Sequence, residues 1–337
     1  MRIVHVATGL ITIPPNGWGA VERLTWEYKQ SLEKLGDVVD IKYMNELEKW
    51  PDTIVHTHLA NQALYCRDKG IPYVYSLHDH HTEWYGKDSW VYKQNLEAMK
   101  HSIISFTHAE YLIDYFSETD KLFYLRHGAN TDFFTPEYRM GPHKLLMIAN
   151  NGLAGDSGFD RKGFRYGIEA ARELDLPITI AGHPNNEKFF DIHIELTNYK
   201  KLTLKLTNPN DEEIRELYQD HSIFLHPSML EAGHPNLTLC EAASSCIPIV
   251  GTYRGSKHFP GMWVLPNIST ESVMHGITET INTYEHRRQE MITVRDYYSW
   301  DNVAKTLHKY YENILKINDG YTSERTKQLY INAYDNI

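Results

Sequence analysis

Two glutamates lie in a segment whose composition suits the binding of a polar ligand. Gly, His, Pro and Asn residues lie between Glu231 and Glu241, and the whole segment follows the apolar run Ile223–His226. Paired carboxylates can divide the roles of acid and base, or accept hydrogen bonds from neighbouring hydroxyls of a ribose and a sugar. Glutamates exposed on a helix are the simpler alternative, but the loop residues between this pair favour a ligand site.

A basic segment contains the residue types that bind a phosphate. Asp160-Arg161-Lys162-Gly163 stands before a helical pattern that runs from about Phe164 to Leu174. Cationic side chains at a helix N-terminus attract anions, although a solvated turn can have the same composition. Residues 17–23 (GWGAVER) form a second glycine-containing helix start. They do not make a dinucleotide fingerprint, because the glycines do not follow a strand directly and the third glycine is missing.

Histidines stand at the ends of two predicted strands. His56 and His58 end one strand, and His78-Asp79-His80-His81 follows the next. An H-x-H pattern can bind zinc, which would predict a hydrolase that uses a metal-activated water. In the alternative, one of these histidines is buried and hydrogen-bonded in the core. Since no second cluster of carboxylates and histidines occurs at matching strand ends, the sequence favours the alternative and predicts no metal.

The elements that must position these residues alternate between apolar strands and helices. Helical spacing is clear in Val21–Leu35 and dominates from Thr270 onward. Apolar strands that alternate with helices predict parallel sheets covered on both faces. The predicted strands form two series: Ile3–Ala7, Val38–Tyr43, Ile54–His58, Tyr73–Leu77, Ile103–Phe106 and Leu122–Leu125, then Leu145–Ala149, Ile178–Ala181, Leu202–Leu206, Ile223–His226 and Ile247–Val250.

These two series predict an α/β protein with two doubly wound, Rossmann-like domains that face a central cleft. The Pro- and Gly-containing segment 135–143 separates them, and we place the domains at residues 1–138 and 139–337. In open α/β sheets, ligands bind beyond the carboxyl ends of the strands. The glutamates, the basic segment and the histidines all follow predicted strands, so we expect them at the cleft.

Composition excludes several classes of function. The chain has 337 residues, with 34 Lys+Arg against 44 Asp+Glu and a formal net charge of −10. Nucleic-acid binding would normally require a basic excess, and docking on an anionic membrane surface is likewise disfavoured. No apolar run approaches the roughly 20 residues of a transmembrane helix, and the N-terminus has no signal-peptide pattern. Three cysteines without C-x-x-C spacing suit a reducing, cytoplasmic location.

Motifs in a characteristic order extend over nearly the whole chain. They are residues 17–23 (GWGAVER), 52–58 (DTIVHTH), 72–79 (PYVYSLHD), 125–134 (LRHGANTDFF), 162–163 (KG), 227–250 with Pro227-Ser228, Glu241-Ala242 and Ile247-Pro248, and 298–303 (YSWDNV). In this order they resemble a GT-B glycosyltransferase, most closely the retaining glycosyltransferase family 4.

The resemblance implies transfer of a sugar, with retention at its anomeric carbon, from a nucleotide-sugar donor to a hydroxyl of a glycan or a lipid-linked sugar. The second domain would bind the donor and the first the acceptor, with no cofactor, and the C-terminal helices would cross back onto the first domain. By matching position, Glu241 would bind the ribose and Glu231 the donor sugar. His78 would reach the transferred sugar, Lys162 would neutralise the diphosphate, and the remaining donor-site residues would be Gly17, Gly19, Asn236, Leu237 and Thr238.

The sequence departs from the family pattern at two points. Glu231 and Glu241 are ten positions apart, whereas the family's glutamates are usually eight apart. Asn150-Asn151-Gly152 stands where the family has a basic residue, and we expect Arg161 to supply the missing charge. The extra loop Leu153–Asp160 lies between them.

Other functions stay open from the sequence. They are a nucleotide-sugar epimerase or a phosphorylase-like enzyme of the same fold, a two-lobed sugar-binding protein, and the metal-dependent hydrolase.

Overall fold

The structure is a computed structural model that describes residues 1–78, 81–137, 141–154, 158–231, 233–255 and 259–318. Two six-stranded sheets account for most of its strands, and every strand pair in both sheets is parallel. This architecture confirms the predicted pair of doubly wound α/β units. Asp79 and His80, and the predicted boundary at 138/139, lie outside the described residues.

The first sheet has the strand order β2-β1-β3-β4-β5-β6. Its interior strands are almost wholly buried, as expected for parallel strands covered on both faces. The strands are β1 (Arg2–Val6), β2 (Val38–Lys42), β3 (Thr53–Thr57), β4 (Tyr73–Leu77), β5 (Ser105–Thr107) and β6 (Leu122–Tyr124), and the helices are α1 (Ala20–Lys34), α2 (Ala60–Asp68), α3 (His81–Tyr85), α4 (Trp90–His101) and α5 (Tyr111–Tyr115).

The second sheet has the strand order β11-β10-β7-β12-β13-β14. Its strands are β7 (Leu145–Ile148), β10 (Ile178–Ala181), β11 (Leu202–Lys205), β12 (Ile223–His226), β13 (Ile249–Gly251) and β14 (Met262–Val264). A separate antiparallel hairpin joins β8 (Leu153–Ala154) to β9 (Phe159–Asp160). The helices are α6 (Phe164–Glu173), α7 (Glu187–Ile192), α8 (Asp211–Asp220), α9 (Leu237–Ser244), α10 (Thr270–Asn282), α11 (Tyr284–Val294) and α12 (Trp300–Asn318).

Short 3-10 helices complete the described elements. They span Met44–Glu46, Pro184–Asn186, Ile194–Asn198 and Asp296–Tyr298.

Helix α12 packs against the first sheet although it follows the second sheet in the chain. Its stripe of Val303, Leu307, Tyr310 and Ile314 is at most 1% exposed and shares one hydrophobic cluster with residues of β1, β3 and α1. Burial of such a stripe is the main source of stability for an amphipathic helix. Helix α12 therefore crosses back onto the first domain, as predicted for the last helix, whereas α10 and α11 pack on α6 and α9 of the second domain.

The predicted element types agree with the structure except in two short regions. Strand β14 and the β8–β9 hairpin were not predicted. β14 has three residues and the hairpin strands have two each, so neither carries enough alternation to produce a periodic signal. The hairpin occupies the segment that the sequence marked as an extra loop, of which residues 155–157 lie outside the described part of the chain.

Candidate active site

A cavity of about 320 Å³ lies where the carboxyl ends of the two sheets face each other. This volume is within the range typical of small-molecule sites. All ten residues that the sequence predicted for the site line this cavity: Gly17, Gly19 and His78 from the first domain, and Arg161, Lys162, Glu231, Asn236, Leu237, Thr238 and Glu241 from the second. The structure thus brings together residues as far apart in the chain as Gly17 and Glu241.

Helix α9 begins at the wall of this cavity. Asn236 caps the helix, and its side-chain oxygen accepts a hydrogen bond of 3.1 Å from the backbone N–H of Leu239. The other end of the Asn236 amide is bonded to Nε2 of His226 at 3.1 Å, which holds the cap in place. Leu237 and Thr238 are the first two helical residues, whose N–H groups have no partner within a helix. This helix start can accept an anion.

Lys162 and Glu231 form an ion pair at the cavity. The hydroxyl of Ser228 also donates to the Glu231 carboxylate, at 2.6 Å. Burial would raise the pKa of Glu231, but the charges of Lys162 and Arg161 outweigh it and hold that pKa well below its usual range. Burial lowers the pKa of Lys162 to about 8 against the attraction of Glu231. A dianionic ligand beside Lys162 would stabilise the charged amine further.

Arg161 brings a positive charge to the cavity wall, but its guanidinium is hydrogen-bonded to backbone carbonyl groups. Its guanidinium donates to the carbonyl oxygens of Asn150, Asn151 and Leu230 at 3.0 to 3.2 Å. These contacts join the loop after β7 to the loop after β12, and the residue is only 6% exposed. Arg161 therefore lies beside Asn150-Asn151 and links the two loops; its role in supplying charge to a ligand stays a prediction.

Glu241 lies one turn into α9 and also lines the cavity. It accepts a hydrogen bond of 3.1 Å from the hydroxyl of Tyr218. Burial raises the pKa of Glu241 to about 7, and the carboxylates of Asp211 and Glu27 contribute in the same direction. Donors from a ligand would compensate this carboxylate for the water that it has lost.

The glycine-rich loop of the first domain docks on the second domain. The N–H of Gly17 donates to Oδ1 of Asp211 at 2.6 Å, and Arg23 forms an ion pair with the same carboxylate. Gly17 has φ +79°, and a Cβ there would lie 2.0 Å from the carbonyl oxygen of Pro209. Only glycine therefore permits this approach. The loop, with Trp18 against the ring of His183 at 4.9 Å, covers one end of the cavity.

Aromatic and charged residues join the two domains at the other rim. Arg254 forms an ion pair with Glu83 at 2.9 Å and lies 3.5 Å from the ring centroid of Tyr111. Trp84 stacks on Phe159 of the hairpin at 5.2 Å. Because 46% of Trp84 and 70% of Trp90 are exposed, this rim presents aromatic surface to solvent.

Histidines form two groups of three in the first domain. Ring nitrogen atoms lie within 4.8 Å of one another in His5, His56 and His58, and likewise in His78, His108 and His127. Both ring nitrogens of His56 are engaged, with Tyr311 at 2.5 Å and Ser76 at 2.8 Å. The hydrogen-bonded alternative therefore describes His56 better than a metal ligand does.

The second group of histidines is a stack of rings. His78 and His108 have centroids 4.8 Å apart, and His108 and His127 have centroids 4.2 Å apart, with planes inclined by about 20°. Nitrogen lone pairs of nearly parallel rings do not converge on one point. Ligation of zinc at about 2.0 to 2.1 Å would thus require these rings to rotate.

Several residues at the cavity were not predicted as site residues. Trp18, Arg23, His127 and Asn208 all line it. Trp18, Arg23 and His127 lie inside motifs that the sequence analysis had already singled out. Their position in these motifs is the sequence feature that could have identified them as site residues. Asn208, with φ +57°, lies in none of the motifs that the sequence analysis singled out.

Comparison with known proteins extends these observations. The family model described as "Glycosyl transferases group 1" matches residues 157–291, a range that contains Lys162, Glu231 and Glu241. No curated protein sequence matches the chain.

Solved glycosyltransferase structures share the whole architecture at low identity. Sucrose-phosphate synthase from Thermosynechococcus elongatus has a TM-score of 0.72 and 10% identity, over 94% of this chain and 100% of that one. Starch synthase IV from Arabidopsis thaliana, bound to ADP and acarbose, has a TM-score of 0.68 and 12% identity, over 94% and 99%. Alr3699/HepE from Anabaena, in complex with UDP and glucose, has a TM-score of 0.66 and 11% identity, over 91% and 98%. The shared two-domain architecture shows that the chain has the GT-B fold, and residues 157–291 of its second domain match the group 1 glycosyl transferases.

Proposed function

We propose that the protein transfers a sugar from a nucleoside diphosphate sugar to a hydroxyl acceptor, with retention of configuration at the anomeric carbon. The observation that carries this proposal is the single cavity lined by a helix N-terminus, a buried lysine and two carboxylates from the second domain, facing a histidine from the first. This set offers partners for the diphosphate, the ribose and the transferred sugar of such a donor.

The diphosphate would lie against Lys162 and the start of α9. The buried amine supplies a charge that is weakly screened by solvent, and the N–H groups of Leu237 and Thr238 would donate to phosphate oxygens. The backbone of Gly17 and Gly19 would approach the same ligand from the first domain. We infer that these groups balance the diphosphate without a divalent cation, and that the protein needs no cofactor.

The two carboxylates would bind different parts of the donor. Glu241 would accept hydrogen bonds from the ribose hydroxyls, in exchange for the bond that it now accepts from Tyr218. Glu231 would bind hydroxyls of the donor sugar, next to Lys162. His78 would contact the transferred sugar from the opposite wall of the cavity.

In the proposed reaction, the bond between the anomeric carbon and the phosphate oxygen breaks while the acceptor oxygen bonds to the same face of that carbon. The acceptor proton passes to the departing phosphate oxygen, so that a nucleoside diphosphate is released. The protein then acts by positioning the reactants and by stabilising the charge on the leaving group. No protein nucleophile takes part.

The acceptor would enter past the aromatic rim around Trp84 and Trp90. Aromatic faces exposed beside a polar cleft suit a sugar ring, and we propose a glycan or a lipid-linked sugar. Within the described residues, the helices include none with the length and apolar character needed to cross a bilayer. Cys66, Cys240 and Cys246 are free thiols buried in the protein, which supports a cytoplasmic location.

A ligand panel followed by product analysis tests the proposal. Thermal shifts with nucleoside diphosphates should identify one base, because a ligand at 100 times its Kd adds about 2.7 kcal/mol of stability. The matching nucleotide sugars are then incubated with saccharide acceptors, and nucleotide release and the anomeric coupling constant of the product are measured by NMR. Inversion at the anomeric carbon would refute retention.

The same experiment separates the remaining alternatives. An epimerase would change the donor sugar without transferring it to an acceptor. Zinc that stays bound through dialysis, together with hydrolysis of the donor that a chelator stops, would instead favour the metal-dependent hydrolase. A sugar-binding protein would show a thermal shift with no turnover.

A further inference from the structure

Three imidazoles form a continuous hydrogen-bonded chain from the core of the first domain to the cavity. Nδ1 of His5 lies 3.0 Å from Nε2 of His58, and Nδ1 of His58 lies 3.1 Å from Nε2 of His78. His5 and His58 are at most 1% exposed, whereas His78 lines the cavity. With Nε2 of His78 occupied by His58, Nδ1 is the ring nitrogen left for a ligand.

The chain of imidazoles follows from the strand register. His5 of β1 pairs with His56 of β3, and His58 follows two positions later, on the same side of the sheet as His56. His78 comes directly after β4, the next strand of the sheet. Parallel strands thus place the three rings side by side at the carboxyl edge, where the cavity begins.

Burial keeps the three rings neutral, and neutral rings require both hydrogen bonds of the chain to point the same way. It lowers the pKa of His5 to about 3 and holds those of His58 and His78 well below 6.5, so all three rings are neutral near pH 7. A neutral imidazole has one N–H donor and one acceptor nitrogen. His58, bonded through both nitrogens, must therefore donate to one neighbour and accept from the other, and both hydrogen bonds point the same way along the chain.

The buried end of the chain selects the direction. Nε2 of His5 is buried and has no hydrogen-bond partner among the described residues. If the bonds ran from His78 towards His5, this atom would carry an unpaired buried N–H, whereas in the opposite direction it carries only an unpaired lone pair. Orphaned N–H groups are the rarer and more costly case in proteins. The bonds therefore run from His5 through His58 to His78.

We propose that His5 and His58 are positioning residues that hold His78 in its Nδ1–H tautomer and so aim a hydrogen-bond donor into the cavity. This inference rests on the proposed function for its consequence: the N–H would donate to an oxygen of the transferred sugar. Neither His5 nor His58 touches the substrate. Their role is to prevent His78 from presenting a lone pair instead.

The tautomers can be measured without any substrate. In protein labelled with ¹⁵N-histidine, long-range ¹H–¹⁵N correlations distinguish a protonated nitrogen from a bare one, and the His78 signals are assigned by their loss in His78→Gln. We expect a protonated Nδ1 and a bare Nε2 in His5, His58 and His78. A protonated Nε2 in His78 would overturn the proposal.

Two substitutions at His58 test whether the tautomer depends on its neighbour. His58→Asn can keep an N–H donor near the position of Nδ1, whereas His58→Leu is of similar size and has none. In His58→Leu, His78 should lose its Nδ1–H preference, and kcat should fall about tenfold, as for one lost transition-state hydrogen bond. KM for the donor should change less than twofold, because the second domain holds the nucleotide. His58→Asn should retain kcat to within about threefold.

A matched control accounts for loss of stability. His221 is a hydrogen-bonded histidine of the second domain, bonded to Leu217 and Thr179 at 2.7 and 2.8 Å, and it does not line the cavity. His221→Leu should lower the melting temperature without changing the His78 signals. Equal loss of kcat in His58→Asn and His58→Leu, with unchanged His78 signals, would overturn the positioning role. If no donor supports turnover, the proposed function fails, while the NMR result still decides the tautomer.

Discussion

The protein should lose stability steeply in mild acid because buried neutral histidines resist protonation. Burial lowers the pKa of His5 and His226 to about 3 and those of His127 and His234 to about 4. In the unfolded chain each would titrate near 6.5. The unfolded state therefore binds more protons between pH 6.5 and these folded values, so the stabilising contribution is complete above pH 6.5 and is lost as the pH falls.

The magnitude follows from the linkage relation. Between pH 7.5 and 5.5, a histidine that stays neutral in the folded state costs about 1.4 kcal/mol of unfolding free energy. The four histidines together cost about 5 kcal/mol by the same relation. His56, His58 and His108, whose pKa values burial also holds well below 6.5, add to this loss. Glu27 and Glu241, whose pKa values burial raises to about 7, gain protons in the folded state over the same range and offset that addition, so the net loss stays at about 5 kcal/mol. An unfolding entropy of about 2.1 cal/mol/K per residue converts 5 kcal/mol into a fall of roughly 7 °C in melting temperature.

The assay is thermal or urea-induced unfolding at pH 7.5, 6.5 and 5.5 at constant ionic strength. His5→Leu removes one of the titrating groups, so its stability should fall less between pH 7.5 and 5.5, by about 1.4 kcal/mol. His286→Gln is the matched control, since it removes an imidazole from a side chain that is 75% exposed instead of one that is buried. A melting temperature that moves by less than about 2 °C over this range would refute the reasoning, since it would mean that the rings protonate without unfolding.

Three further predictions concern the ligand site and the last helix. Glu241→Ala should weaken binding of the bare nucleoside diphosphate by about ten- to a hundredfold in calorimetry, whereas Glu231→Ala should mainly lower turnover; the reverse pattern would contradict the assigned roles. Transfer should continue in EDTA, and activity that disappears and then returns with a divalent ion would revive the metal hypothesis. A chain ending before Tyr298 loses α12 and uncovers β1, β3 and α1, so calorimetry should show lower melting of the first domain; unchanged melting would show that α12 contributes little.

The secondary structure and the fold class were predictable because their signals are local. Each of the predicted parallel strands carries its own apolar run, and α12 carries its own stripe of Val303, Leu307, Tyr310 and Ile314. Periodicity of this kind needs no knowledge of the partner. The rule that ligands bind beyond the carboxyl ends of parallel strands then sufficed to place Lys162 and Glu241 at one cavity.

Contacts between residues that are far apart in the sequence could not be predicted, because they depend on how distant helices and strands pack together. The sequence assigned Lys162 to a phosphate and Glu231 to a sugar, and only the tertiary structure pairs them with each other. In the same way, the docking of Gly17 on Asp211 joins residues 194 positions apart. Contacts of this separation are set by the packing of two sheets, and no local propensity reports them.

The histidines show most clearly what each level decides. From the sequence alone, the H-x-H pattern at His56 and His58 predicted either a metal site or a hydrogen-bonded core, since spacing shows only that two rings share a side of a strand. The parallel register brings His5 of another strand beside them and His78 to the end of the same chain of rings. The sequence therefore determined which positions carry imidazoles, and the tertiary packing determined which ring nitrogen faces which partner. The reason is that the direction of each hydrogen bond depends on all the neighbours of the ring at once.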